Sequence, residues 1–309
     1  MALNEIQQHI QSTKKTAKIT NAMRMVSRNK VNHTIEMAQS YQIYSDYIKQ
    51  TLQQLHYTLK LTPPKFTKPE IAALITQRPI KRIGIFLMTT DKGLAGSYNP
   101  DLLNQLDQWI NDQNLTQDQE LVFYTLGRVG EKYCQKHNYK IMRAYYPLSD
   151  QPSFEEAHHF IRQLRQAFVE KECDELYLAY HHESNGSQSK FNIDKLLPVL
   201  ALNKPAKLDA NLDPEELITK VYLIEPSVEA VLEGMIPHYI EAKVYGALLQ
   251  AKTTEHFARM TAMQSATDNA NAMIADLKLK YNQERQVKVT NEILEIVAGA
   301  QAQQKERRK

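Results

Sequence analysis

The sequence predicts an α/β protein: a long antiparallel coiled coil of N- and C-terminal helices plus a central Rossmann-like domain built on a mainly parallel sheet. Three observations carry this. The first is the placement of helix breakers. The 309-residue chain has 9 Gly and 12 Pro, yet residues 1–62 contain neither, and only Gly246 and Gly299 come after Pro237. The second is apolar stepping by three and four residues at both ends of the chain. The third is alternation of strand-like and helix-like segments in the middle. A single sandwich or barrel is excluded, because such folds need turn residues throughout.

The N-terminal helix, residues 1–62, opens with Leu3, Ile6, Ile10, Thr13, Ala17 and Thr20 in a 3-4 step. After the Met23–Val26 cluster, Ile35, Ala38, Tyr41, Tyr44, Ile48, Leu52, Leu55 and Leu59 resume it. A period near 3.5 argues for a coiled coil. At 1.5 Å per residue such a helix is roughly 85 Å long, too long to pack entirely on its own globular body. Pro63 and Pro64 stop it.

Residues 63–226 read as a globular α/β domain. Ile83–Thr89 is a near-continuous apolar run, as in a strand buried on both faces. Asn99 and Pro100 suit the N-cap and first position of a helix carrying Leu102, Leu103, Leu106 and Ile110. Further strands are expected at Leu121–Thr125, Lys140–Tyr145, Leu176–Tyr180 and Val221–Ile224. Helices are expected near Arg128–His137 and Phe154–Lys171, the latter opened by a capping box, Ser153 with Glu156. The polar segment His181–Asp213, broken by Gly186, Pro198 and Pro205, reads as an extended excursion.

Residues 227–300 form the second long helix. Its stripe runs through Ile236, Ile240, Ala247, Met260, Met263, Ala270, Met273, Leu277 and Tyr281, and ends in Ile293, Leu294, Ile296 and Val297 before Gly299. Ala and Met allow close and adaptable packing. Residues 301–309 are a basic polar tail, expected to fray.

The formal net charge of +3 is unevenly spread. Residues 1–62 carry eight Lys/Arg against three Asp/Glu, and residues 238–309 eleven against eight, so the middle is acidic. No acid lies between Glu5 and Glu36, while Lys14, Lys15, Lys18, Arg24, Arg28 and Lys30 all do. A solvated helix face usually alternates its charges. A DNA-binding basic region would not have Ile19, Met23 and Val26 woven through it. A helix lying against an acidic protein surface fits best.

No stretch approaches the ~20 apolar residues of a membrane span, and MALNEIQQHI has neither a signal core nor the character of a transit peptide. Cys134 and Cys173 are too few and too far apart for a disulfide scaffold or a CxxC site, so a reducing, cytoplasmic compartment is expected. The turn Thr89–Ser97 has two glycines but neither a dinucleotide fingerprint nor a Gly-Lys-Ser/Thr loop. It reads as a tight connection, with a weak anion-binding turn as the alternative. His158-His159 and His181-His182 are adjacent pairs, poor joint metal ligands on a helix. No nucleophile motif or singled-out carboxylate pair occurs. No catalytic residue, metal or cofactor is expected.

Three blocks connect these readings. Ile19-Thr20-Asn21-Ala22-Met23-Arg24-Met25-Val26 resembles the ITKAMxMV block of the gamma subunit of F-type ATP synthases. Thr90–Asn99 is similar to that family's SDRGLCGxxN turn, and Arg259–Ala270, Tyr281–Gln286 and Thr290–Ala300 resemble its ending. The resemblance spans the chain from the first helix to residue 300. It implies a central-stalk rotor that couples ion-driven rotation of a membrane ring to conformational change in beta-subunit catalytic sites, without an active site of its own. The implied partners are the alpha and beta subunits, epsilon and the proton- or sodium-carrying c-subunit ring, with no nucleic acid. The implied place is the cytoplasmic face of a bacterial cell membrane, as a peripheral protein. By the same resemblance Lys18, Met23 and Arg24 meet the acidic lever of beta, and Arg285, Gln286 and Thr290 meet a higher beta loop. Tyr222 and Glu225 belong to the foot on the membrane ring and epsilon, and Ile293, Leu294, Ile296 and Val297 form an apolar bearing tip. Asn21 and Gln264 stand where the family often has Lys, and Ala95 where it has Cys. The inserted cysteine pair of the photosynthetic branch is absent, so thiol-controlled regulation is not expected. Two rivals remain: an α/β enzyme with a coiled-coil dimerisation arm, and a nucleic-acid-binding coiled coil.

Overall fold

The computed structural model describes residues 3–59, 66–113, 115–116, 118–145, 148–184, 188–199 and 224–306. In chain order the elements are α1 (Leu3–Leu59), α2 (Pro69–Ile75), β1 (Arg82–Met88), α3 (Tyr98–Asp112), β2 (Glu120–Leu126), α4 (Arg128–Lys136), β3 (Lys140–Tyr145), α5 (Phe154–Val169), β4 (Glu175–Ser184), β5 (Gln188–Leu197) and α6 (Val228–Glu306). They divide into two compact units, Met1–Ser27 with Arg259–Lys309, and Arg28–Ala258.

The larger unit holds a five-stranded sheet in the order β3-β2-β1-β4-β5. β1 pairs parallel with β2 and β4, and β2 pairs parallel with β3. β5 runs antiparallel to β4. The apolar run in β1 is explained by this position: six of its seven residues are buried, because helices cover both faces. One face packs Phe86, Met88, Val122, Tyr124 and Leu178 against Phe160, Leu164 and Phe168 of α5 and Ile236, Ile240 and Leu248 of α6. The other packs Ile85, Leu87 and Phe123 against Leu102 and Leu106 of α3 and Cys134 of α4.

Several expectations shift by a few residues for identifiable reasons. α3 begins at Tyr98 with Ser97 as its N-cap, not at Asn99. The Asn99 side chain instead accepts from the Thr90 amide and donates to its hydroxyl. Pro100 falls in the first turn, where its missing N–H costs nothing. The capping box at α5 is present in full: Glu156 N–H donates to Ser153 Oγ, and Ser153 N–H donates to the Glu156 carboxylate. The segment read as a polar excursion contains β5, whose Phe191 and Ile193 pack on the second core while Asn192 and Asp194 bond the Tyr180 hydroxyl. The strand expected at Val221–Ile224 lies outside the described residues except for Ile224.

α6 starts at Val228, so Gly234 and Pro237 lie inside it. Ser227 caps it, its hydroxyl accepting from the Ala230 amide. Within the larger unit the seam of α1 is Val31, Thr34, Ala38, Ser45, Ile48, Leu52 and Leu55, all buried. Thr34 and Ser45 therefore take places expected for Ile35 and Tyr44, and Tyr44 is exposed. Thr34 enters the seam without an unsatisfied hydroxyl, because Oγ1 donates to the Lys30 carbonyl.

In the smaller unit Ile6, Ile10, Ala17 and Ser27 of α1 are buried, as are Met263, Thr267 and Ala270 of α6. Thr20 hydrogen-bonds Thr267, and Thr13 reaches the Met273 sulfur at 4.0 Å. As residue number falls along α1 it rises along α6, so the two segments are antiparallel. Met273, expected in the stripe, is exposed. The 3-4 step from Met263 through Thr267 and Ala270 selects Ile274, which is half-buried.

Candidate coupling surface on the helix pair

The basic run of α1 is an uncompensated surface within the smaller unit. Lys14, Lys15, Lys18 and, at the start of the larger unit, Arg28 are exposed. Among the described residues none of these four forms an ion pair. Arg24 is held differently: its Nε and a terminal nitrogen both donate to Asn21 Oδ1, at 3.2 and 3.0 Å. Asn21 thus exchanges a charge for an acceptor that fixes the guanidinium, whose planar fork is suited to carboxylates. Met23 beside it is half-buried. Ile19, Met25 and Val26 are 61%, 52% and 53% exposed, so apolar and cationic groups share one surface. A groove of about 520 Å³ opens here between Lys14, Lys15 and Lys18 of α1 and Asn271 and Ile274 of α6.

Lys30 does not share this freedom. In the larger unit its Nζ lies 2.5 Å from Asp150 Oδ2. The acid-free run therefore ends in an internal ion pair, which spacing along the chain gave no means of seeing.

Toward the end of α6 the burial pattern stops. Tyr281 is half-buried, and from Asn282 to Ala298 every residue is exposed. Stepping antiparallel from the Thr20–Thr267 contact puts Leu3, the first described residue of α1, level with residue ~284, so no described residue of α1 lies alongside α6 beyond that point. Arg285, Gln286 and Thr290 lie on this uncovered part. Ile293, Leu294, Ile296 and Val297 do too, with Ile296 at 71% exposure. Glu225, expected in the foot, is exposed, and Tyr222 lies outside the described residues.

The Thr89–Ser97 turn sits at the carboxyl end of β1, beside the switch point between β1 and β4 where doubly wound sheets bind ligands. Here the chain's own groups occupy it. Asp91 Oδ1 accepts from the Arg128 amide at the start of α4, supplying the negative charge that a helix N-terminus favours. Thr89 Oγ1 accepts from the Gly130 amide and donates to the Leu126 carbonyl. The Tyr98 hydroxyl donates to the Ala251 carbonyl of α6, and the Tyr98 carbonyl accepts from His181 Nε2. Burial holds the His181 imidazole below its ordinary pKa, hence neutral. The turn is a tight connection with Gly96 at φ of 60°, Tyr98 at its end docks on α6, and Gly127 with φ of +90° lets the β2–α4 corner approach it closely.

The other candidate groups are similarly engaged. His158 faces Glu241 while His159 faces Gln163, so the adjacent pair diverges. Among the described residues no group of three His, Cys, Asp or Glu could hold a metal ion. Burial pushes both cysteine thiols up to about 12, leaving them packed and unreactive. No described helix is long and apolar enough to cross a membrane.

Comparison with known proteins matches this architecture along its whole length. A family model described as ATP synthase matches residues 2–303. The ATP synthase gamma chain of Enterococcus faecalis is 37% identical over 308 residues, covering 97% of this chain and 98% of that one. The gamma chain of Lacticaseibacillus casei is 37% identical over 312 residues with the same coverage. Among solved structures, a chain of the Euglena gracilis mitochondrial ATP synthase OSCP/F1/c-ring assembly superposes with a TM-score of 0.63 at 15% identity, covering 97% of this chain and 94% of that one. The match covers nearly the full length of this chain and of these relatives, and the chain belongs to the ATP synthase gamma chain family.

Proposed function

We propose that this chain is the central rotor shaft of an F-type ATP synthase, with its helix pair forming a coiled coil inside a ring of alpha and beta subunits. The α/β domain, residues 63–226, rests with epsilon on the membrane c-ring at the cytoplasmic face of the cell membrane. Helices 1–62 and 227–300 carry rotation into the ring. The observation that carries this reading is the uncovered end of α6. A helix that buries no residue from Asn282 to Ala298, yet presents Ile293, Leu294, Ile296 and Val297, is built to be housed by another protein.

In this role the chain catalyses nothing. It presents different faces to equivalent catalytic sites and so biases each toward a different conformation. Driving one site from 1:99 to 99:1 between two states takes about 5.5 kcal/mol of differential contact energy. An exposed ion pair supplies ~0–1 kcal/mol, so the steering is spread over shape and several contacts. Lys18, Met23 and Arg24 meet the acidic lever of beta. Arg285, Gln286 and Thr290 meet its upper loop, and the apolar tip turns in an apolar bearing where few directional bonds resist rotation. Tyr222 and Glu225 belong to the foot. Ions crossing the membrane, protons or sodium, drive the ring.

The test is purification of the chain from membranes with its partners, expecting one copy per three alpha and three beta chains. Replacing Arg285 and Gln286 together should weaken assembly or coupling. Normal ion-coupled ATP synthesis by that double variant would remove those two residues from the contact.

A further inference from the structure

The β3–α5 connection, described over residues 148–153, is held by more separate elements than a loop of its length needs. Asp150 accepts from Lys30 of α1 through Oδ2 at 2.5 Å, and from Lys92 of the β1–α3 turn through both oxygens at 2.8 Å. Its backbone carbonyl accepts from His256 Nε2 of α6 at 2.9 Å. Two residues on, the Pro152 carbonyl accepts from the Tyr245 hydroxyl of α6 at 2.8 Å. Tyr245 and His256 are each 1% exposed. Between them on α6, the Ala251 carbonyl takes the Tyr98 hydroxyl from α3.

The spacing of these ties matters more than their strength. Tyr245 and His256 are eleven residues apart, about 16 Å along the helix. One hydrogen bond would let a helix swivel about it, whereas attachments at both ends of that length, with a third between, resist both roll and slip. Apolar packing alone is non-directional and resists sliding less. The Asp150 ion pairs are partly exposed and so contribute modestly to stability. What they define is the geometry of α1, α6 and the βα turn around one short segment.

We propose that the Asp150–Pro152 segment is a torsional clip, the joint through which rotation passes from the α/β domain into both long helices. This rests on the rotor reading. Asp150 acts as a positioning residue: it touches no nucleotide, and its effect is felt only when the shaft is under load.

The experiment uses the assembled complex in sealed vesicles, carrying Asp150→Asn, which keeps size and backbone. The readouts are unloaded ATP hydrolysis and the limiting ion gradient at which hydrolysis stalls. The expected result is unchanged unloaded hydrolysis with a lower limiting gradient. A second variant, Lys30→Cys with Asp150→Cys, should show the same loss and recover it when the two thiols are joined by a short bis-maleimide. Cys134 and Cys173 are fully buried and do not compete. A limiting gradient equal to wild type in Asp150→Asn, or no recovery on bridging, overturns the clip. Failure of the wild-type chain to assemble with the catalytic ring would overturn the rotor reading instead, and the two failures are separable.

Discussion

Thr20 of α1 and Thr267 of α6 share a hydrogen bond between their hydroxyls at 2.7 Å, in the middle of the seam of the smaller unit. Thr267 gives its one proton to the Met263 carbonyl one turn earlier, so Thr20 is the donor of the shared bond, with the Ala17 carbonyl at 3.2 Å as its alternative acceptor. The seam therefore uses small hydroxyl residues satisfied by backbone, which lets two helices approach closely without an unpaired polar atom.

Removing both of these hydroxyls should cost less than the two single losses added together. Thr20→Val or Thr267→Val alone loses the shared bond but leaves the other hydroxyl a backbone carbonyl to donate to, and is expected to destabilise by about 1 kcal/mol. The double variant keeps shape and should fall well short of the sum. Urea denaturation of the four proteins measures the coupling directly.

Two glycines should respond oppositely to alanine. At Gly246, inside α6, an added Cβ meets nothing within 4 Å. Close packing therefore does not require glycine there, and Gly246→Ala should stabilise by up to about 1 kcal/mol through helix propensity. If ATP synthesis slows in that variant while stability rises, bending at this point serves the motion. At Gly127, φ is +90° and the Cβ would stand 2.5 Å from the Thr89 carbonyl oxygen. Gly127→Ala should cost several kcal/mol, roughly 2–4, by strain and clash together.

The buried imidazole of His181 makes stability depend on pH. Its folded pKa lies below the ordinary 6.5 because burial disfavours the cation. The unfolded chain takes the proton first as pH falls. The contribution is therefore complete above about pH 6.5 and is lost progressively below it. Denaturation midpoints at pH 7.5 and 5.5 should differ, and His181→Gln should reduce the difference.

The apolar tip should matter for assembly and not for folding. Ile293, Leu294, Ile296 and Val297 are all exposed. Replacing them with Ser should shift unfolding of the isolated chain by no more than about 0.5 kcal/mol each, while incorporation into the complex drops. A large loss of stability in the isolated chain would mean that the tip packs on its own protein.

What could be read from the sequence was what depends on period and on short-range capping. The β1 run, the Ser153–Glu156 box and the near-3.5 stepping all depend on residues within a turn or two of each other, and all are present. What could not be read depends on partners distant in the chain. Asn99 has the right chemistry for an N-cap, but Thr90 claims its side chain. Tyr44 and Met273 are exposed while Ser45 and Ile274 lie nearer the seam, because phase around the helix outranks the apolar character of a single residue. β5 alternates Phe191 and Ile193 with Asn192 and Asp194, a period-2 signal obscured by nearby Gly186 and Pro198. In the sequence Lys30 is one more cation of a basic run, and only the fold brings Asp150, 120 residues away, beside it.

The uncovered end of α6 has a consequence for the chain before it meets any partner. A helix of some two dozen residues is marginal in water without tertiary support, and Asn282 onward has none among the described residues. In the free protein this stretch opens at low free-energy cost, and Arg285 and Lys288 become sites for trypsin. Enclosed by a partner, the same bonds resist cleavage. Protease sensitivity at these two residues thus reports whether a given molecule stands alone or is housed.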